Sequence, residues 1–382
     1  MKSYVKIALV ALIILIIGLI IYFVWSALAT PAPETLVPAP ISSELPTIPS
    51  SGGNNGTSTQ DQASGEQFVP VLTKISENPV FDFWTDIQTK ETYYLDPESR
   101  VFLGKNGPDL EISGQNLNAP NFIELSPSGQ RVLAAFGDPR LPQWGIFDII
   151  DESWRPLPDG ILKATWGDNS DTLIGFVKNG ANINLSSINL AQSQPTYKII
   201  AKDLRLEDVN LKSLSSQNLV ISENPSADYP GRVWNLNLKD LSLSQMFSPE
   251  NGLIIKLSAD KKIVFIFSPA NGFRMLNTAN LGLATPVPFL TLPSKCSPDS
   301  AIIYCFVPEN LPENAVLPDD YFRKKTHTSD VLYKIDISND EVSLVSLPGN
   351  AGLIDAKNPS VNAGNLYFIN LYDNSLYSLT IR

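Results

Sequence analysis

The 382-residue chain sets 28 Lys and Arg against 39 Asp and Glu, a formal net charge of −11. That balance leaves no basic stripe to release counterions from nucleic acid, so DNA and RNA are excluded as partners. Thirty Pro and 22 Gly announce many turns, and two cysteines are too few for a disulfide scaffold and lack zinc-ligand spacing.

The first thirty residues read MKSYVKIALVALIILIIGLIIYFVWSALAT. Lys2 and Lys6 precede an uncharged apolar run from Ile7 to Trp25. As a helix rising about 1.5 Å per residue, the run spans roughly 28 Å, close to the hydrocarbon core of a bilayer. Tyr22 and Trp25 stand where amphipathic rings favour the interface, and the lysines lie on the near side only. The expectation is a single-pass anchor at 7–25, with residues 1–6 cytoplasmic and the rest outside the cell membrane. The alternative is a signal peptide cleaved near Ala29, after which the protein is secreted. Residues 26–66, Pro-rich and then rich in Gly, Ser, Asn and Thr, lack apolar groups to bury and read as an extended spacer.

From residue 67 to 382 short β-rich runs alternate with turns, the pattern of an all-β domain. One phrase recurs. LSPSGQRVLAAF (125–136), TWGDNSDTLIGF (165–176), KLSADKKIVFIF (256–267) and KCSPDSAIIYCF (295–306) each join a polar turn to an apolar strand. LKSLSSQNLVIS (211–222) and KNPSVNAGNLYFI (357–369) are weaker copies, and FDFWTDIQTKETYYLD (81–96) offers paired strands without the turn. Units of about 40 residues with four strands each indicate a β-propeller, because one small sheet cannot cover both its faces alone. The expected count is about seven four-stranded blades, with six or eight as alternatives. QFVPVL (67–72) is placed to complete the blade that ends at Arg382.

The SPSGQRVL, SADKKIVF and SPDSAIIY stretches resemble the Ser-Pro-Asp-Gly hairpins of TolB-type, WD-repeat-like propellers. The hairpin alone is shared, over about residues 75–382. The sequence departs from it by placing Ser300, Lys261 or Asp171 where Gly is usual, and it lacks the Trp-Asp dipeptide. The resemblance implies a propeller that binds proteins or presents ligand loops.

Catalytic patterns are sparse. There is no G-x-S-x-G elbow, and the sole histidine, His327 in RKKTHTSD, reads as a surface loop residue. DNSD (168–171) and SNDE (338–341) lack the alternating oxygen ligands of a calcium loop and read as turns. Asp138, Asp148, Asp151, Glu152 and Asp171 could form a glycosidase pair only if two of them converged. No cofactor, metal or catalytic set is therefore expected. If Cys296 pairs with Ile303 across its hairpin, Cys305 lies diagonal to it at about 7–8 Å, beyond disulfide reach unless a bulge closes the gap. A disulfide and two buried thiols both stay open.

Two excursions break the period. LPENAVLPDDYFRKKTHTS (311–329) carries Asp319, Asp320, Tyr321, Phe322, Arg323 and Lys324, and GDPRLPQWG (137–145) carries Arg140 and Trp144. Long loops on a rigid scaffold are where binding residues gather, and aromatic and Arg side chains dominate hot spots. The expected function is a membrane-tethered propeller outside the cell membrane that binds another envelope protein or helps assemble one. A second class is cell-wall glycan recognition by stacking on Trp144, Trp154, Trp166 or Trp234, and the least favoured is a propeller hydrolase.

Overall fold

A computed structural model describes residues 70–381 except 106, 114–116, 193, 205–207 and 280–283. The expected segments 1–6, 7–25 and 26–66 lie outside the described residues. Among the described residues no helix is long and apolar enough to cross a membrane.

Seven four-stranded antiparallel sheets make the blades, and all but the last run in chain order. Blade 1 begins at Asp82–Thr85, blade 2 at Pro120–Leu125, blade 3 at Ile161–Trp166 and blade 4 at Val209–Ser215. Blades 5, 6 and 7 begin at Ile254–Leu257, Cys296–Asp299 and Ala356–Asn362. Blade 7 takes its fourth strand from the other end of the domain: Leu72–Lys74 pairs with Ser375–Thr380, Leu72 opposite Leu379. The closing strand thus lies at the end of the QFVPVL stretch and just beyond it.

The repeated phrase is the first hairpin of a blade. Ser126 N donates to Arg131 O at 2.8 Å, Gly129 N donates to Ser126 O at 2.9 Å, and Arg131 N donates to Ser126 Oγ at 3.1 Å. Blade 5 repeats all three bonds with Ser258, Lys261 and Ile263. One hydroxyl thus completes the turn, which is why Ser recurs there. The fourth turn position is left-handed in blades 2, 5 and 6: φ is 75° at Gly129, 60° at Lys261 and 58° at Ser300. Lys261 and Ser300 thus keep glycine's backbone at a conformational cost, whereas Asp171 does not enter the left-handed region.

Seven buried clusters occupy the seven blade interfaces. Val132, Ala134 and Phe136 pack toward Trp84, Leu95 and Val101 of blade 1, while Leu133 and Ala135 pack toward Trp166 and Leu173 of blade 3. Successive strand residues point to opposite faces, and both faces are covered, so these strands are apolar throughout. The ring closes where Tyr94 and Phe102 meet Ile369 and Leu376.

Candidate functional site

The loops joining second to third strands emerge on one face of the ring, opposite the first-hairpin turns. Both excursions are loops of this kind: 311–328 in blade 6 and 137–142 in blade 2. In blade 6 the excursion folds into a short helix, Asp319–Phe322. Asp320 accepts from Val316 N at 2.9 Å and pairs with Lys325 at 3.3 Å. The Val316 N–H, with help from Lys325, holds the Asp320 carboxyl below the ordinary range. Asp319 reaches across to blade 4, where its Oδ1 accepts from Ala227 N at 2.8 Å, and it also holds Arg323 at 3.3 Å.

Underneath lies a buried polar cluster that sequence reasoning missed. Lys295, fully buried, directs its ammonium at Thr328 Oγ1 (2.9 Å), Asp330 Oδ2 (2.5 Å) and Asp355 Oδ1 (2.7 Å). Lysine has three N–H donors, so this set saturates it. Tyr321 closes the cluster, with its hydroxyl 3.2 Å from Asp355 Oδ1 and its ring 5.0 Å from the Lys295 ammonium. Burial, reinforced by the nearby Asp355 and Asp330 charges, pushes the Tyr321 phenol far up.

The two acids respond differently. Burial pushes the Asp330 carboxyl up, more than Lys295 pulls it down, and its Oδ1 is buried without a partner. Burial also opposes ionisation of Asp355, but Lys295 and the Thr328 donors outweigh it and hold the carboxyl low. Both carboxylates face Lys295, but Asp355 also accepts from Thr328 N, Thr328 Oγ1 and the Tyr321 hydroxyl, which favours its charged form. Residues 295, 330 and 355 are far apart in sequence, and only the juncture of blades 6 and 7 unites them. A lysine just ahead of an apolar inner strand was the one available signal.

His327 is tied into the same cluster rather than standing free. Its Nδ1 lies 3.2 Å from Asp355 Oδ2 and its ring stacks on Tyr372. Tyr321 faces inward and is 8% exposed, so it serves as the anchor of the excursion and not as a contact residue. What the helix presents outward is Phe322 (49% exposed), Arg323, Lys324 and Lys325. Tyr229, 74% exposed, stands two residues from the tethered Ala227. Phe322 and Lys324, flanked by the ion-paired Arg323 and Lys325, form an aromatic and basic ridge on blade 6.

Arg140 is exposed on the same face of the ring, but in blade 2, which does not neighbour blade 6. Trp144 is a correction. It is 6% exposed, donates its indole N–H to Ile161 O at 2.9 Å and packs edge-on against Phe122. Trp154 and Trp166 are likewise buried, and Trp234 is half-buried against the core between blades 3 and 4. The ring faces expected to stack on sugars are taken up by packing, because Trp fills the wide gap between blades.

The candidate acids Asp148 and Asp171 do converge, but on the Arg131 guanidinium, at 3.1 and 2.7 Å. Asp138, Asp151 and Glu152 sit in exposed turns. Among the described residues no group of three or more His, Cys, Asp or Glu side chains could hold a metal ion. The cysteine register also differs from expectation. Cys296 pairs directly with Cys305, not with Ile303, because only Ser300 and Ala301 form the turn. The Cα atoms are 4.2 Å apart and a disulfide joins them.

No protein-family model matches the chain, and no curated protein matches it in sequence. Solved structures match its shape. The β-propeller domain of Cps50 (Swd1) from Myceliophteria thermophila is 9% identical with a TM-score of 0.51, covering 81% of this chain and 98% of that one. A chain of a mitotic checkpoint complex is 10% identical with a TM-score of 0.50, covering 88% and 99%. The tricorn protease is 10% identical with a TM-score of 0.48, and the match covers 85% of this chain but 34% of that chain. At such identities the likeness is one of fold, and the fold is a seven-bladed, WD-repeat-like β-propeller.

Proposed function

We propose that the protein is a membrane-tethered propeller held outside the cell membrane, where it binds another envelope protein through the ridge on blade 6. One observation carries this reading. The 311–329 excursion is pinned by a buried charge cluster and a cross-blade bond, yet it turns Phe322, Arg323, Lys324 and Lys325 outward. Ordering a long loop costs about 1–2 kcal/mol per residue, so a rigid presenting platform implies a use. A basic ridge on a chain of charge −11 selects an acidic partner segment with an apolar side chain to meet Phe322. The apolar run at 7–25 supports the tether, and the Cys296–Cys305 disulfide supports an oxidising compartment.

Site-specific photocrosslinking tests the ridge. A photoreactive phenylalanine analogue at Phe322 in the full chain is expected to yield one discrete adduct in cells, and Lys324→Glu with Arg323→Glu should abolish it. No adduct, or one indifferent to the charge reversal, removes the proposal.

A further inference from the structure

The opposite face of the ring holds a second feature, independent of the ridge. Where the first-hairpin turns of blades 1 to 5 converge on the central channel, a cavity of about 460 Å³ opens. That volume suits a small molecule. Its charges are divided by blade. Asp82 and Glu124 come from blades 1 and 2, while Lys212, Lys256 and Lys261 come from blades 4 and 5. Trp166, Ile123 and Leu257 give it apolar walls.

The acids are already engaged. Asp82 takes the Asn358 amide on both oxygens at 3.2 and 3.1 Å, and Glu124 holds Lys212 at 2.8 Å. Two lysines are left over. Lys256 makes a 3.2 Å bond to the Cys296 carbonyl, an uncharged acceptor. Among the described residues neither Lys256 nor Lys261 has a carboxylate within ion-pair distance. Burial outweighs the attraction of Asp82 and, with a smaller repulsion from Lys212, pushes the Lys256 ammonium down to about 8. Ammonium groups whose nearest acids lie beyond ion-pair reach are costly to bury unless something negative joins them.

Lys261 adds a backbone observation. It occupies the turn position that blade 2 fills with Gly129, and it does so at φ 60°. A long side chain in the left-handed region is strained, and such strain gathers at functional positions. Here it sets an ammonium at the cavity wall where glycine would leave none.

We propose that this end of the channel binds a small molecule bearing a carboxylate or phosphate group, with Lys256 and Lys261 on the anion and the half-buried Ile123 and Leu125 beside an apolar body. A carboxylate supplies charge-assisted acceptors for the unused N–H groups, which are stronger than neutral ones. The acids that act on these lysines from beyond ion-pair reach are engaged elsewhere or face solvent: Glu124 holds Lys212, Asp82 holds Asn358, and Asp168 is exposed between the first two strands of blade 3.

Calorimetric titration of the full chain with benzoate, phenyl phosphate and neutral benzamide tests this. One equivalent of benzoate or phenyl phosphate is expected to bind, with benzamide about tenfold or more weaker. The stronger of the two anions distinguishes a carboxylate from a phosphoryl ligand. Lys256→Met is expected to weaken anion binding about tenfold. Lys261→Gly restores the turn's preferred residue and so keeps the fold, and it should weaken binding by a similar factor. Lys198→Met, on the exposed outer strand of blade 3, should leave anion binding unchanged. The proposal falls if neither anion binds, if benzamide binds as well as benzoate, or if Lys261→Gly binds the anions unchanged.

Discussion

Lys295 is the residue on which the candidate interface rests. Removing one partner of a buried ion pair strands the other, at about 3–5 kcal/mol. Lys295→Ala is therefore expected to lower the unfolding free energy by about that amount in urea titrations, with Asp355 the group left unpaired. The two acids should separate. Asp355→Asn removes a carboxylate that the site holds charged, whereas Asp330→Asn removes one whose ionisation burial opposes, so the first should cost more. The sign with pH follows. A carboxyl depressed in the folded state contributes fully above its ordinary pKa of 3.8 and loses that contribution as pH falls through the lower folded value. The advantage of the native protein over Asp355→Asn should thus be flat near neutrality, begin to fall below about pH 3.8 and vanish only below the lower folded value. An advantage that grows on acidification would contradict the assignment.

At the scale of elements, the blade 6 hairpin and the excursion form one unit. The disulfide spans a sequence separation of nine at the start of blade 6, beside Lys295. Closing so short a loop restricts the unfolded chain by about 2–3 kcal/mol. Reduction, or the double variant Cys296→Ala with Cys305→Ala, should lower stability by about that much, read by thermal unfolding with and without reductant. Alkylation of protein taken directly from cells should find neither thiol free, and two free thiols would count against an oxidising compartment. Sequence spacing allowed this bond but could not decide it. Moving the register by two residues turned a diagonal pair into a facing one, and register is set by turn length.

The whole molecule is a ring whose closure depends on one short strand. Each blade buries its faces against two neighbours, so an incomplete blade 7 weakens both its own contacts and those of blade 1. A chain beginning at residue 70 keeps Leu72–Lys74 and should unfold like the full protein. One beginning at residue 76 should melt earlier and less cooperatively, because Ser375–Thr380 becomes an open edge. Equal midpoints by differential scanning calorimetry would show that closure contributes little. The two faces of the ring then carry separate tasks: a pinned ridge on one and a lysine-lined cavity on the other.

Much of this architecture could be read before any fold was known, because the propeller is written locally. Each Ser-led turn and apolar strand lies within a dozen residues, and stacking leaves the period of about 40 visible. The excursions were legible for the same reason, as interruptions of that period. Tertiary structure alone decided which way their side chains face. Trp144 and Tyr321 look like contact residues in sequence, yet the gaps between blades and the Lys295 cluster take them inward. Neither Lys295 with Asp355 nor Lys256 with Lys212 could be assembled from spacing, because each pair meets across blades or the channel, where distance along the chain carries no information.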